Sequence, residues 1–231
     1  MTTRKDIFIE GEYYHIYNRG NSKQDIFIDD QDRNRFVKLL YLCNSVRNIE
    51  FTRDVVDKKI EAFDFDRGDS IISIGAWALM PNHFHLYITP SRVERRGPLR
   101  DEKNPISLFM NKLSTGYSMY FNKKNKRTGK LFEGAFKSVL VKNDEHAKYN
   151  FSYIHLNPVK LIDPIWKEKG IKDIQKTLNF LSKYRWSSYN DYRGIKRPES
   201  KIICPKDFHV YFSDNKVSDE EIFEWLNYKE V

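Results

Sequence analysis

Residues 71–89 constrain the fold of this chain more than any other stretch. Residues 71–79 form an apolar run with a β-branched start, the length of a buried strand. Met80-Pro81-Asn82 reads as a turn. From His83 the pattern switches to strict alternation. Phe84, Leu86 and Ile88 point one way, while His83, His85, Tyr87 and Thr89 point the other. Two such runs across a short turn predict a hairpin with one face in a core. The other face then presents two imidazoles about 7 Å apart along the strand, close enough to share one metal ion. A His-x-His pair is weak evidence by itself and more often structural. It gains weight from a second constellation further along the chain.

That constellation lies on a helix predicted to start at the Asn143-Asp144 cap and to run to about Asn157. His146, Asn150, Tyr153 and Asn157 are spaced i, i+4, i+7 and i+11, so they share one narrow face. Ala147, Phe151 and Ile154 form a separate apolar stripe that can dock the helix on a sheet. His155 falls nearly opposite Tyr153 and is left out of the candidate site. A carboxamide oxygen can ligate a hard cation, and a tyrosine oxygen can attack phosphorus. The plainer reading makes Tyr153 a packing residue and Asn157 a C-terminal cap. Pro158 disfavours helix at the residue before it, which leaves the direction of Asn157 open.

The 231 residues are 40% hydrophobic and 31% charged, enough apolar content for a core and too much charge for a membrane protein. No apolar run is long enough to span a bilayer, and the N-terminal residues lack a signal-peptide core. Cys43 and Cys204 are too few for a disulfide framework, so a reducing, cytoplasmic setting is expected. The net charge of +8 favours nucleic acid as partner, ahead of an anionic membrane surface or a merely soluble basic surface.

The remaining pattern predicts a strand over 12–18 and a helix over 32–46, with a charged insertion near 47–70. An arginine-rich loop follows over 90–104, and an amphipathic helix over 105–121 is capped by Asn104 with Pro105 in its first turn. A basic turn covers 122–130, an extended segment 131–141, and another helix lies within 160–184. Ser218 to Glu221 reads as a capping box for a last short helix. Arg95 and Arg96 in the first loop, and Lys123, Lys124, Lys126, Arg127 and Lys130 in the basic turn, are the candidate phosphate-binding side chains.

Met80-Pro81-Asn82-His83-Phe84-His85-Leu86 resembles the His-hydrophobic-His signature of single-tyrosine HUH transposases. Residues 128–137 and 153–160 look like two further blocks of that family, and residues 14–20 and 186–189 match its ends. The similarity runs in order over roughly residues 10–195. The closest subgroup is that of the REP-associated tyrosine transposases, relatives of insertion-sequence transposases. The resemblance implies an α+β, ferredoxin-like core with a central antiparallel sheet flanked by helices. It places that domain in residues 1–195 and a C-terminal helical and loop extension in 196–231. It implies metal-dependent cleavage and rejoining of single-stranded DNA beside hairpins or inverted repeats. His83 and His85 match the metal pair, Tyr153 the nucleophile, and Asn157 the third ligand, which is glutamine in some members. Mg²⁺ or Mn²⁺ would serve, and homodimer and monomer are both compatible. Two rivals stand beside this reading: a catalytically inactive nucleic-acid-binding module on the same fold, and a metal-dependent phosphodiesterase that uses water.

Overall fold

A computed structural model describes residues 8–91, 104–212 and 217–227. Four strands form one antiparallel sheet: β1 (Tyr13–Arg19), β2 (Ile72–Met80), β3 (His83–Pro90) and β4 (Lys137–Val141), in the spatial order β2-β3-β1-β4. Helix α1 (Asp30–Leu42) joins β1 to β2, α2 (Pro105–Lys124) lies between β3 and β4, and α3 (Asp144–Leu156) follows β4. This is the βαββαβ order of a ferredoxin-like α+β sheet.

The two faces of the sheet follow from the alternation in β3. Register pairs Phe84 with Leu79 and Asn18, and Leu86 with Trp77 and Ile16. This face packs under α1 and α2, where Phe36 lies tilted against Phe84 at 4.9 Å and meets Tyr117 edge-on at 5.0 Å. The opposite face carries His83 beside Arg19, His85 beside Tyr17 and Ala78, and Tyr87 beside His15 and Ala76. Helix α3 covers it, crossing β2 and β3, and its stripe of Ala147, Phe151 and Ile154 is fully buried. Phe151 stacks on Phe212 at 4.2 Å, so the C-terminal segment closes the same core. The apolar stripes predicted for the hairpin and for α3 thus both pack where the periodicity puts them.

Short helices complete the chain: α4 (Trp166–Lys169), α5 (Ile174–Lys183), α6 (Tyr189–Tyr192) and α7 (Asp219–Glu224), the last capped by Ser218 and Glu221 as the sequence indicates. Four elements differ from expectation, the first being α1, which ends at Leu42 rather than running on to residue 46. The helix within 160–184 is two helices, because Gly170 takes φ +73 and breaks the run. The extended segment 131–141 pairs as a strand only from Lys137, with one isolated bridge from Phe132 to Gly20. The amphipathic helix runs on to Lys124, because its last turn pairs with acidic groups from α1. The charged segment after α1 holds a single π-helical turn, Phe51–Val56, over a small satellite core of Leu42, Val55 and Ala62. The outer edge of β2 is closed by backbone bonds from Leu79 to Trp186 and from Ser188 to Trp77. Among the described residues no helix is long and apolar enough to cross a membrane.

Candidate metal and nucleophile site

The polar face of α3 lies directly over the histidine face of β3. The rings of His83 and His85 stand 5.0 Å apart and nearly perpendicular. Tyr153 meets His85 edge-on with 5.5 Å between centroids. All four predicted groups, His83 and His85 on β3, Tyr153 on α3 and Asn157 just past its end, therefore converge within one chain. His155 faces the other way, bound to Ser188 Oγ at 2.7 Å in the core.

Asn157 keeps helical backbone angles (φ −54, ψ −39) although Pro158 follows. Helix α3 ends at Leu156, and a 3-10 turn over Asn157–Leu161 begins there with proline in its first turn, where a missing N–H costs nothing. The carboxamide is thereby held inward, and Asn157 is fully buried. It lies against both the His83 ring and the Tyr153 phenol, favouring the charged form of each. Neither of its polar atoms completes a well-formed hydrogen bond. Among the described residues it is the one side chain with both polar atoms buried and unpaired.

The site sets the protonation of its members mainly by burial. Desolvation holds His85 well below the ordinary imidazole range, with the neighbouring His15 and His83 adding to the effect. Desolvation also lowers His83 to about 4, and Lys160 and Arg19 push the same way. Both rings are neutral at pH 7 and offer lone pairs. Burial, then Tyr149, raises the Tyr153 phenol, so it is protonated at rest. Tyr149 stacks on Tyr153 at 6.0 Å, and Lys167 Nζ sits 4.8 Å from the Tyr153 ring centre.

The donor set suits a divalent ion. His85 Nε2 and both polar atoms of Asn157 are buried without a well-formed protein hydrogen bond. Among the described residues no group of three or more His, Cys, Asp or Glu could hold a metal, and the Asn157 carboxamide is the further donor beside the two imidazoles. Two imidazoles and one amide oxygen favour Mn²⁺ somewhat over Mg²⁺.

Several neighbours were not singled out from the sequence. His15 Nε2 lies 2.9 Å from His85 Nδ1, and Asn82 Oδ1 lies 2.6 Å from His83 Nδ1. Lys160 and Lys167, with Arg19, are cations whose fields reach the histidines. The same period-two reading applied to β1 puts His15, Tyr17 and Arg19 on one face and could have found His15. Lys160 lies in the 3-10 turn and Lys167 in the four-residue α4, elements too short to carry a periodic signal.

The predicted phosphate-binding residues separate into groups. Arg95 and Arg96 lie outside the described residues. Lys123, Lys126 and Lys130 are exposed. Lys124 is engaged internally, 2.7 Å from Asp29 and from Asp32. Arg127 is half-buried, with its guanidinium 5.7 Å from the Phe121 ring centre. A broader recess between α1, α2 and residues 48–52 is lined in part by Lys123 and Lys124 and contains none of His83, His85, Tyr153 and Asn157.

No family model and no curated protein matches the chain. Among solved structures it is similar to one described as a REP-associated tyrosine transposase bound to a REP hairpin. The two share 16% identity over 86% of this chain and 90% of that one, with a TM-score of 0.46.

Proposed function

We propose that this chain cleaves and rejoins single-stranded DNA next to hairpin or inverted-repeat structure, with Tyr153 as nucleophile. The observation that carries the reading is the meeting of Tyr153 and Asn157 with His83 and His85 in one half-buried site. The motif resemblance points to the same chemistry. Tyr153 Oη attacks the scissile phosphorus, and the P–O3′ bond breaks. The proton lost by the phenol is balanced by the one gained at O3′, leaving a 5′-phosphotyrosine and a free 3′-OH. Attack by a 3′-OH on that linkage releases Tyr153 and restores a phosphodiester, with no nucleotide cofactor consumed.

His83, His85 and Asn157 would hold Mn²⁺ or Mg²⁺. When bound, that ion supplies charge neutralisation at the phosphate. Lys160 and Lys167 add positive charge from the chain itself, and the stacked Tyr149 and Tyr153 rings limit where a backbone can enter. Lys123, Lys126 and Lys130 lie on the basic turn that precedes β4 and would track the phosphates.

The test is a gel assay with labelled single-stranded hairpin DNA and Mn²⁺. Wild type should form a covalent adduct that survives denaturation. Tyr153→Phe removes only the hydroxyl and should bind DNA but form none. An adduct from the Phe variant would assign the attack elsewhere. Cleavage without any adduct would favour water as nucleophile, and binding without cleavage the inactive module.

A further inference from the structure

The two histidines of the site are each held at Nδ1 by a hydrogen-bond relay whose direction can be read from the backbone. A carbonyl oxygen can only accept. Asn82 places one amide atom 3.1 Å from the Lys23 carbonyl, so that atom is the NH₂. Its oxygen is therefore the atom 2.6 Å from His83 Nδ1, and His83 must donate from Nδ1.

The same logic runs through a longer relay to His85. Asn150 donates its NH₂ to the His146 carbonyl at 2.9 Å. Its oxygen is left for the neighbouring His15 ring, whose protonated form the Asn150 side chain favours. His15 Nε2 already faces His85, so the nitrogen toward Asn150 is Nδ1, and it donates. His15 Nε2 then carries a lone pair. His85 Nδ1, 2.9 Å away, supplies the one proton between the two rings. In the alternative tautomer His85 Nε2–H would be a buried donor with no acceptor.

We propose that Asn82, and the chain Asn150–His15, lock His83 and His85 in the tautomer that leaves both Nε2 atoms bare, making His15 a positioning residue of the metal site. The inference rests on the metal-site reading for its purpose, but the tautomers exist without metal. His15 sits diagonally across the β1–β3 ladder from His85, since its direct partner is Tyr87. Its side chain is buried, as a fixed relay requires.

Metal-free protein labelled with ¹⁵N-histidine reports each ring's tautomer by two-bond ¹H–¹⁵N correlation. Wild type should show His83 and His85 both protonated at Nδ1. His15→Phe keeps a ring of similar size and removes the acceptor. His85 should then lose its single tautomer, and Mn²⁺ affinity measured by calorimetry should fall about 10- to 100-fold. His15→Gln returns an acceptor oxygen and should recover most of that loss. A merely structural His15 would leave the His85 tautomer as in wild type in both variants. Should His15→Phe fail to fold, Asn150→Leu cuts the relay one step further away with the same expected readouts. Wild-type His85 found protonated at Nε2, or an unchanged tautomer and affinity in the folded variants, overturns the proposal. The metal reading fails separately, if wild type binds Mn²⁺ no better than His85→Ala. The tautomer spectra decide the lock in that case too.

Discussion

The basic turn offers a prediction in which stability and DNA binding should come apart. Lys124 and the three exposed lysines look alike in sequence. In the structure Lys124 Nζ lies 2.7 Å from both Asp29 oxygens and from Asp32 Oδ1. The Asp32 side chain is fully buried and also accepts from Tyr120 Oη and the Ile28 N–H. Lys124→Gln leaves that carboxylate with its neutral donors only. Losing a charge-assisted bond to a buried group costs about 1.5–3 kcal/mol. In a chain of this size that corresponds to roughly 3–12 °C in Tm. Lys123, Lys126 and Lys130 point into solvent, so converting all three to Gln should leave Tm nearly unchanged.

DNA binding should show the reverse. Each lysine–phosphate pairing with a single strand contributes about −0.7 to the slope of log K against log salt. If two or all three of these lysines pair with phosphates, the triple variant should flatten the slope by about 1.4–2.1. Lys124→Gln should not move it. Fluorescence anisotropy with hairpin DNA across a salt series, beside thermal melts, measures both. A flattened slope with unchanged Tm for Lys124→Gln would refute the assignment of Lys124 to the fold. A triple variant with the wild-type slope would refute the turn as a DNA-binding element.

Two further outcomes test the packing. Gly75 lies at the bulge in β2, where an added Cβ would stand 2.8–2.9 Å from the Phe208 ring, so Gly75→Ala should cost about 1–3 kcal/mol by urea unfolding. Adding Phe208→Leu should recover part of the loss, and an unchanged midpoint in Gly75→Ala would show that the C-terminal segment does not pack there. Burial lowers His15 and His155 to about 3, so both are neutral in the folded chain at pH 7. Their folded values lie below the ordinary 6.5, so their contribution is complete above that pH and is lost as pH falls toward 3. Each removes about 1.4 kcal/mol per pH unit across that window, and equal urea midpoints at pH 7 and pH 5 would contradict it.

Much of the site was legible because two periodicities carry it. Alternation by two assigns His83 and His85 to one face of β3, and the 3.6 repeat assigns Tyr153 and Asn157 to one face of α3. Each pattern also includes an apolar stripe, so burial fixes the orientation of both faces. What stayed hidden depends on the meeting of separate elements. The place of His15 beside His85 follows only from the β1–β3 register, which no local pattern states. Lys124 reads as one more cation of a basic turn until Asp29 and Asp32 are brought to it from α1. Asn157 sits where a helix ends at a proline, and local preference alone did not settle its direction. The break at Gly170 was missed because the charged residues around it still allow a helical run.

The packing of α3 bears on whether the tyrosine works with histidines of its own chain. A trans arrangement would require α3 to leave the histidine face and deliver Tyr153 to a second copy. Ala147, Phe151 and Ile154 would then lose their burial, and Phe151 would be stripped from Phe212 and Tyr192, with rings at 4.2 Å and 4.7 Å. Exposing one phenylalanine and one isoleucine costs about 1.5–3 kcal/mol each, before counting the partners uncovered with them. Under the proposed mechanism, this packing predicts that each tyrosine serves the histidines of its own chain. A mixing experiment tests it: Tyr153→Phe and the double variant His83→Ala/His85→Ala are each inactive under the proposed mechanism. Combined as co-expressed chains, they should remain inactive if each tyrosine serves its own histidines. Adduct formation recovered by the mixture would show that α3 does undock and that the site is shared between copies.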